Sequence, residues 1–553
     1  MSTTIKAMSK ETQKRIIALA MDENFYGKRK RLSRLEVCDK VCDELELTQD
    51  QLPSAEMCDW LLENKPVKKA AKKASIIPEE LEPVFEGASC SRDDALEVLE
   101  DGTYIITSVQ NNTTPHASFY GLEWLAKRCG AALLAMPIHY VRNLDKKDRK
   151  NVKYHADVKQ YLLDNDVFLG SKNGVRLAVN ANIVVTAKQP INNAEQLNAG
   201  EALTIVASPR SQVRSLQRAK NQSEKYAMTS KCSTLRHYAN DRIASESEKD
   251  HWFGGIMVCV DNGSLTIKQI ESNERGDVML DGQLFTSKGE SLDVELEAIV
   301  LGDIHCEKSD PVVWNDTISL MNAYQPDTVV LHDLFDMMSR NHHNRESGKF
   351  LYEMGNRTVL EDLQDVAQTL ADVSPYVRKV FVVASNHNLA LDTWLDDNKY
   401  NPSKDPLNAK LYHLLKFALL EMMDNGDESQ VLEMAMRELD KQSLLTIEMP
   451  DNIVFGDLDE LKMLGGHDCG QHGHIGAGGA RGSIKTFKRY SVPNVTGHTH
   501  SGARDGHALI VGVKGAYDMG YNKGHTRWTR DDAFIYDNGM SYLQPQYALT
   551  FEV

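Results

Sequence analysis

The rhythm of apolar positions changes several times along the chain, and each rhythm predicts a kind of element. Residues 1–63 have helical spacing, with Ile16, Ile17, Leu19 and Ala20 in one stretch and Leu32, Leu35, Val37, Val41 and Leu45 in another. The basic run at 28–31 between them reads as a solvated loop, or as a contact to a nucleic-acid backbone or a partner. Residues 64–80 (NKPVKKAAKKASIIPEE) are Pro-flanked and Lys/Ala-rich, the composition of a linker.

Residues 81–293 predict a mixed α/β accessory domain of unassigned role. A strand at 103–109, a helix at 117–129 and a strand at 131–138 form a βαβ-like unit. Further strands are predicted at 183–187, 203–207, 255–260 and 265–270. Asn111, Asn112 and His116 read as a turn and a helix start rather than as a pocket lining.

The rhythm is clearest over 294–553. Strands at 298–301, 328–331 and 380–384 alternate with helices at 311–324, 357–373 and 407–423. That alternation predicts a layered α/β domain, whose chemistry belongs at the C-terminal ends of its strands.

Composition narrows the function. At 553 residues the chain should hold two to four domains, and 41% hydrophobic with 26% charged residues is globular. The formal net charge of −16 argues against coating nucleic acid or anionic membrane through the overall field, though not against local patches or bound cations. Residues 1–75 carry 15 basic and 12 acidic side chains, so the N-terminal part is slightly basic while the rest is acidic. No apolar run approaches 18 residues and no secretory signal core opens the chain, which predicts no membrane partner. Nine cysteines without a CxxC pair predict reduced thiols and a cytoplasmic setting. Of 18 histidines, 13 lie between His305 and His525, which marks the segment to search for metal or acid–base chemistry.

Polar clusters follow the predicted strands there. The strand at 298–301 ends in Gly302-Asp303-Ile304-His305, where alternation points a carboxylate and an imidazole to one side. The strand at 328–331 ends in HDLFD with Asp333 and Asp336, and the strand at 380–384 ends in Ser385-Asn386-His387-Asn388. Later come Gln471-His472-Gly473-His474 and Gly497-His498-Thr499-His500. GAGGARGS lacks the Lys of a phosphate-binding NTPase loop, and no G-x-S-x-G is present, which excludes those two classes.

This ordered set, over about 295–553, resembles the calcineurin-like metallophosphoesterase superfamily. HDLFD is similar to the GDLFD of its nuclease branch, the SbcD-type repair exonucleases. HGHIGAGGARGS and the tail GHTHSGARDG, YNKG and Trp528 are similar to tailed-phage metallophosphoesterases that degrade host DNA. The resemblance implies two sheets flanked by helices and two divalent ions. Asp303, His305, Asp333 and His500 would hold one ion, and Asp333, Asn386, His472 and His498 the other, with Asp333 bridging. Mn2+ is the expected metal, with Mg2+, iron or zinc as alternatives. The implied reaction is phosphodiester hydrolysis by a hydroxide between the ions, with His387 stabilising the phosphate or protonating the leaving alkoxide. DNA as substrate and a homo-oligomer are implied as well.

The sequence departs from that family at three points. His332 and Ser385 replace glycines, and Asn388 stands where the family has an acid beside the histidine. An amide cannot raise the His387 pKa electrostatically, so Asp336 or Asp392 must substitute if His387 is to act as an acid. His467 is the alternative to His472, and His474 reads as a neighbour rather than a ligand. Arg340 and Arg481 are candidate phosphate contacts, because guanidinium matches two phosphate oxygens, or else surface arginines. The polar run Asn341, His342, His343 and Asn344 is a candidate loop over the site. The expected function is a two-metal DNA nuclease. A phosphatase of small phosphoesters or nucleotides, and a non-catalytic binding or inhibitory protein on the same scaffold, are the rival readings.

Overall fold

A strand buried on both faces needs apolar residues at consecutive positions, and the central strands of the C-terminal region are of that kind. In the computed structural model, which describes residues 82–83 and 97–552 apart from 141–151, 182, 193, 240, 287, 341–351, 353, 398–399, 459 and 520–521, they form a six-stranded sheet. Its order is Ile453–Phe455, Lys379–Val382, Thr328–Leu331, Leu296–Val300, Asp531–Tyr536, Ser541–Pro545; the first four are parallel and the last two antiparallel. Ile299, Leu301, Val329, Leu331, Val380 and Val382 pack beneath helices on one face. The alternate positions Ala298, Val300, Val330, Phe381, Val383 and Ile535 enter a second core shared with the other sheets.

The covering helices form where capping and periodicity agree. Pro311–Tyr324 starts on the Asp310 carboxylate, which accepts from the Val312 and Val313 amides, with Pro at the first position. Val359–Val373 starts two residues later than its periodicity predicts, because Thr358 and Glu361 close a capping box. Leu363, Val366, Leu370 and Val373 are its fully buried stripe.

The second large sheet has eleven strands. Six come from 97–229 and five from 463–510, joined where Gln212–Ser215 pairs antiparallel with Ala503–Asp505. A hydrogen-bonded ladder crosses the boundary expected at 293/294. A third, eight-stranded sheet holds the expected βαβ pair, Gly102–Gln110 parallel to Ala132–Ile138, with Ala117–Cys129 between them. The architecture is α/β.

Two expectations in the middle region resolve locally. His116 caps the helix through the Ser118 amide, and the Asn111 side chain accepts from the Tyr140 amide at 2.7 Å, so these residues shape a turn and a helix start. The strand expected at 183–187 is absent: the Ala187 amide donates to Val184 in a turn, and Val184 is 63% exposed. Its β-branched residues find no ladder. The helical reading of 1–63, the linker at 64–80 and the 341–344 loop lie outside the described residues. Among the described residues no helix is long and apolar enough to cross a membrane.

Phe381 is fully buried between the six-stranded sheet and the shared core. Phe381→Ala should lower unfolding free energy by about 3–5 kcal/mol, measured by urea denaturation.

Candidate metal centre

The C-terminal ends of strands from two sheets converge on one polar site. Leu296–Val300, Thr328–Leu331 and Lys379–Val382 of the six-stranded sheet lead into Asp303 and His305, Asp333 and Asp336, and Asn386 and His387. His467–Asp468 and Asn494–Thr496 of the eleven-stranded sheet lead into His472 and into His498 and His500.

Past the strand ends the backbone keeps its pairing. The amides of Ile304, His305 and Cys306 donate to the carbonyls of His332, Asp333 and Leu334, which locks the first two loops side by side. The Asp303 amide donates to Gly512 and its carbonyl accepts from Lys514. The buried Asp532 carboxylate takes the Gly302 amide at 3.0 Å and the fully buried Lys514 ammonium at 2.7 Å. Gly497 is required by close approach: a Cβ there would overlap Asp303 Oδ1. His305, Asp333, His498 and His500 all have positive φ, at 49°, 42°, 71° and 57°. Non-glycine residues hold such conformations at about 1–3 kcal/mol each, and they concentrate where geometry serves a ligand or a reaction.

Asp303, His305, Asp333 and His500 form one group, and Asp333, His472 and His498 another, with ligand atoms within 4.8 Å of one another in each. His500 Nε2 lies 3.2 Å from Asp303 Oδ2, and His472 Nε2 lies 3.1 Å from Asp333 Oδ2. Asp333 belongs to both groups. The decisive observation is what the carboxylates lack. Asp303 and Asp333 are fully buried, and no well-aligned donor reaches any of their four oxygens; Asn386 Oδ1 and both His472 nitrogens are buried without partners too. Buried carboxylates of this kind are stable only with a compensating cation. The donor set of carboxylate oxygens, an amide oxygen and imidazole nitrogens fits a divalent transition metal, so these buried groups can hold a metal ion.

Electrostatics agrees with that use. Burial opposes charge on Asp333, yet the neighbouring His472 and His387 hold its carboxyl well below the usual range. Burial also pushes His498 down to about 4 and lowers His500, so both imidazoles stay neutral, the form that coordinates metal. His305 turns its other nitrogen, Nδ1, to Asp336 at 2.8 Å, an outer partner that fixes the ring and aims Nε2 inward.

Asp336 has a second client. Its Oδ1 lies 2.6 Å from His387 Nδ1, and His387 Nε2 lies 4.0 Å from Asp333 Oδ2. Burial would lower the His387 pKa, but Asp333 and Asp336 overcome it and push the imidazole up to about 10. The carboxylate missing at Asn388 is thus supplied by Asp336. Asn388 instead accepts from the Phe335 amide and donates to the Val383 carbonyl, tying two loops together.

Other sequence-predicted residues go elsewhere. His467 bonds Ser541 Oγ at 2.9 Å and the Gly465 carbonyl at 3.2 Å, away from both groups, which leaves His472 as the residue facing Asp333. Arg340 commits its fork to Asp405 at 3.0 and 2.6 Å and its third nitrogen to the Ser339 carbonyl, so it is spent on the fold rather than aimed at phosphate. Arg481 is exposed, opposite Ile475 at the base of the glycine-rich loop beside His472. His474 stands 5.6 Å from His472 ring to ring and outside both groups. His332 is fully buried against Gly497, and burial pushes it down to about 4. Sequence reasoning gave no role to Asp532, Lys514 or Trp528. Trp528 is marked only as part of the tail motif, and no spacing announces Asp532 or Lys514, which meet the site only through folding.

No protein-family model matches the chain. It is 34% identical to "Protein A1" of Escherichia phage T5 over 557 aligned residues, covering 97% of this chain and 98% of that protein. Among solved structures, Vps29 of Chaetomium thermophilum is similar over 34% of this chain and 96% of that one, with 12% identity and a TM-score of 0.19. A second Vps29 structure from the same organism is similar over 33% of this chain and 99% of that one at 11% identity, again with a TM-score of 0.19.

Mn2+ added to metal-free protein should raise its melting temperature, because an ion that binds only the folded state stabilises it. Asp333→Asn should abolish that rise, because it removes the carboxylate shared by both ligand groups. Differential scanning calorimetry with and without EDTA reads both.

Proposed function

The chain belongs to the family of Protein A1 of phage T5, and from that membership and the buried Asp/His centre we propose a two-metal phosphodiester hydrolase of the metallophosphoesterase type that degrades DNA, a phage enzyme working in the host cytoplasm. The observation that carries the reading is Asp333, fully buried, without donors, and shared by two ligand groups. Asp303, His305, Asp333 and His500 would hold one ion and Asp333, Asn386, His472 and His498 the second, with Mn2+ the first choice. Bound there, the pair would polarise a phosphate and lower the pKa of a water.

The chain's own residues supply the rest. Asp336 holds the His387 ring by Nδ1, leaving a proton on Nε2 toward the site. With its side chain 25% exposed, His387 is open to a substrate phosphate. An imidazolium so placed binds a phosphate oxygen and then gives its proton to the leaving alkoxide. Because Asp336 also orients His305, one carboxylate sets both a metal ligand and the acid. Arg481 at the base of its exposed loop is available to pair with a phosphate of the polymer.

Purified protein incubated with linear DNA or p-nitrophenyl phosphate, in Mn2+, Mg2+ or EDTA, should cleave DNA with Mn2+ and not with EDTA. Hydrolysis of the small ester alone would make it a phosphatase, and hydrolysis of neither would contradict an enzymatic role. His387→Ala should keep the Mn2+-induced rise in melting temperature and lose about 10²–10⁴-fold in turnover; unchanged turnover would remove His387 from the mechanism.

A further inference from the structure

Beside the first ligand group stands an aromatic residue that the proposed hydrolysis does not use. The Trp528 ring meets His500 edge to face, with centroids 4.3 Å apart and planes at 72°. Its position is built rather than incidental. The Thr529 amide donates to the His500 carbonyl at 2.9 Å, and Arg218 and Thr526 exchange backbone hydrogen bonds at 2.9 and 2.8 Å. The buried Arg218 guanidinium donates to the Trp528 carbonyl at 2.8 Å. Yet Trp528 is only half-buried, and the chain approaches it through Lys523, Gly524 and His525, all exposed. In a chain of net charge −16, the exposed Lys523, a few residues before Trp528, supplies a local positive charge suited to a polyanion.

We propose that Trp528 and residues 523–525 form a nucleobase subsite adjoining the metal centre, in which the base next to the scissile phosphate stacks on the indole while Lys523 meets the backbone. Stacking is sequence-tolerant, because every base has a π-face, and it requires that face to be uncovered. Bases inside a duplex are covered by their neighbours. The subsite therefore selects an unpaired strand or a frayed end, which narrows the substrate class beyond phosphodiesters in general. It rests on the phosphodiesterase reading above.

The test uses the full-length Mn2+-loaded protein and a single-stranded oligonucleotide in which one abasic residue is moved position by position. In wild type, the abasic change at one position should raise KM roughly ten-fold or more, the order lost when one stacked base is removed. Trp528→Ala should raise KM on the intact oligonucleotide by a similar factor, add nothing further at that abasic position, and be largely rescued by Trp528→Phe. Penalties that add independently, an unchanged KM in Trp528→Ala, or a loss confined to kcat would overturn the subsite and leave Trp528 as packing for His500. Failure of wild type to cleave any oligonucleotide would instead contradict the underlying reading.

Discussion

Two carboxylates, Asp303 and Asp333, sit fully inside the protein with no donor aligned to their oxygens. A lone buried charge of this kind is unfavourable by several kcal/mol even after relaxation. Neighbouring imidazoles offset part of that cost, while the backbone fixes the carboxylates in place. The loops after two parallel strands are stitched together amide to carbonyl, Gly497 presses its backbone onto Asp303, and four ligand residues are held at positive φ. Such an arrangement can hold a metal ion, and the loops after strands of two sheets bring its oxygens together.

From that constraint follows a division of protonation states. Burial keeps His498 and His500 neutral. His387, at the open edge, is held charged by Asp333 and Asp336. In the proposed reaction the same residue type would serve as ligand and as acid, the acid being the imidazole that Asp336 holds at the site's edge. Asp336 sits between the two roles, because its Oδ1 meets both His305 and His387.

How far the sequence announces this depends on whether a feature is local. The strand Thr328–Leu331 and the helices Ala117–Cys129 and Pro311–Tyr324 have the predicted bounds, because apolar periodicity and caps are read over a few neighbours. The ligand clusters are legible for a similar reason: their chemistry lies in residue types placed just after strands. The eleven-stranded sheet is not legible, since strands of two to four residues meet partners hundreds of positions away, as Val213 meets Arg504. Through-space exchanges escape as well. Asp336 takes over from Asn388, Arg340 turns to Asp405, and Trp528 lands on His500 only once the sheets are assembled.

The acidic balance of the whole chain says little about a buried centre able to hold cations, so the number it holds is the central question. Metal-free protein dialysed against Mn2+ and analysed by inductively coupled plasma mass spectrometry measures it directly. The account predicts two Mn2+ per wild-type chain and a loss of both, or of all but a weakly held one, in Asp333→Asn. Wild type that retains no metal, or an Asp333→Asn variant that keeps both ions, would contradict it.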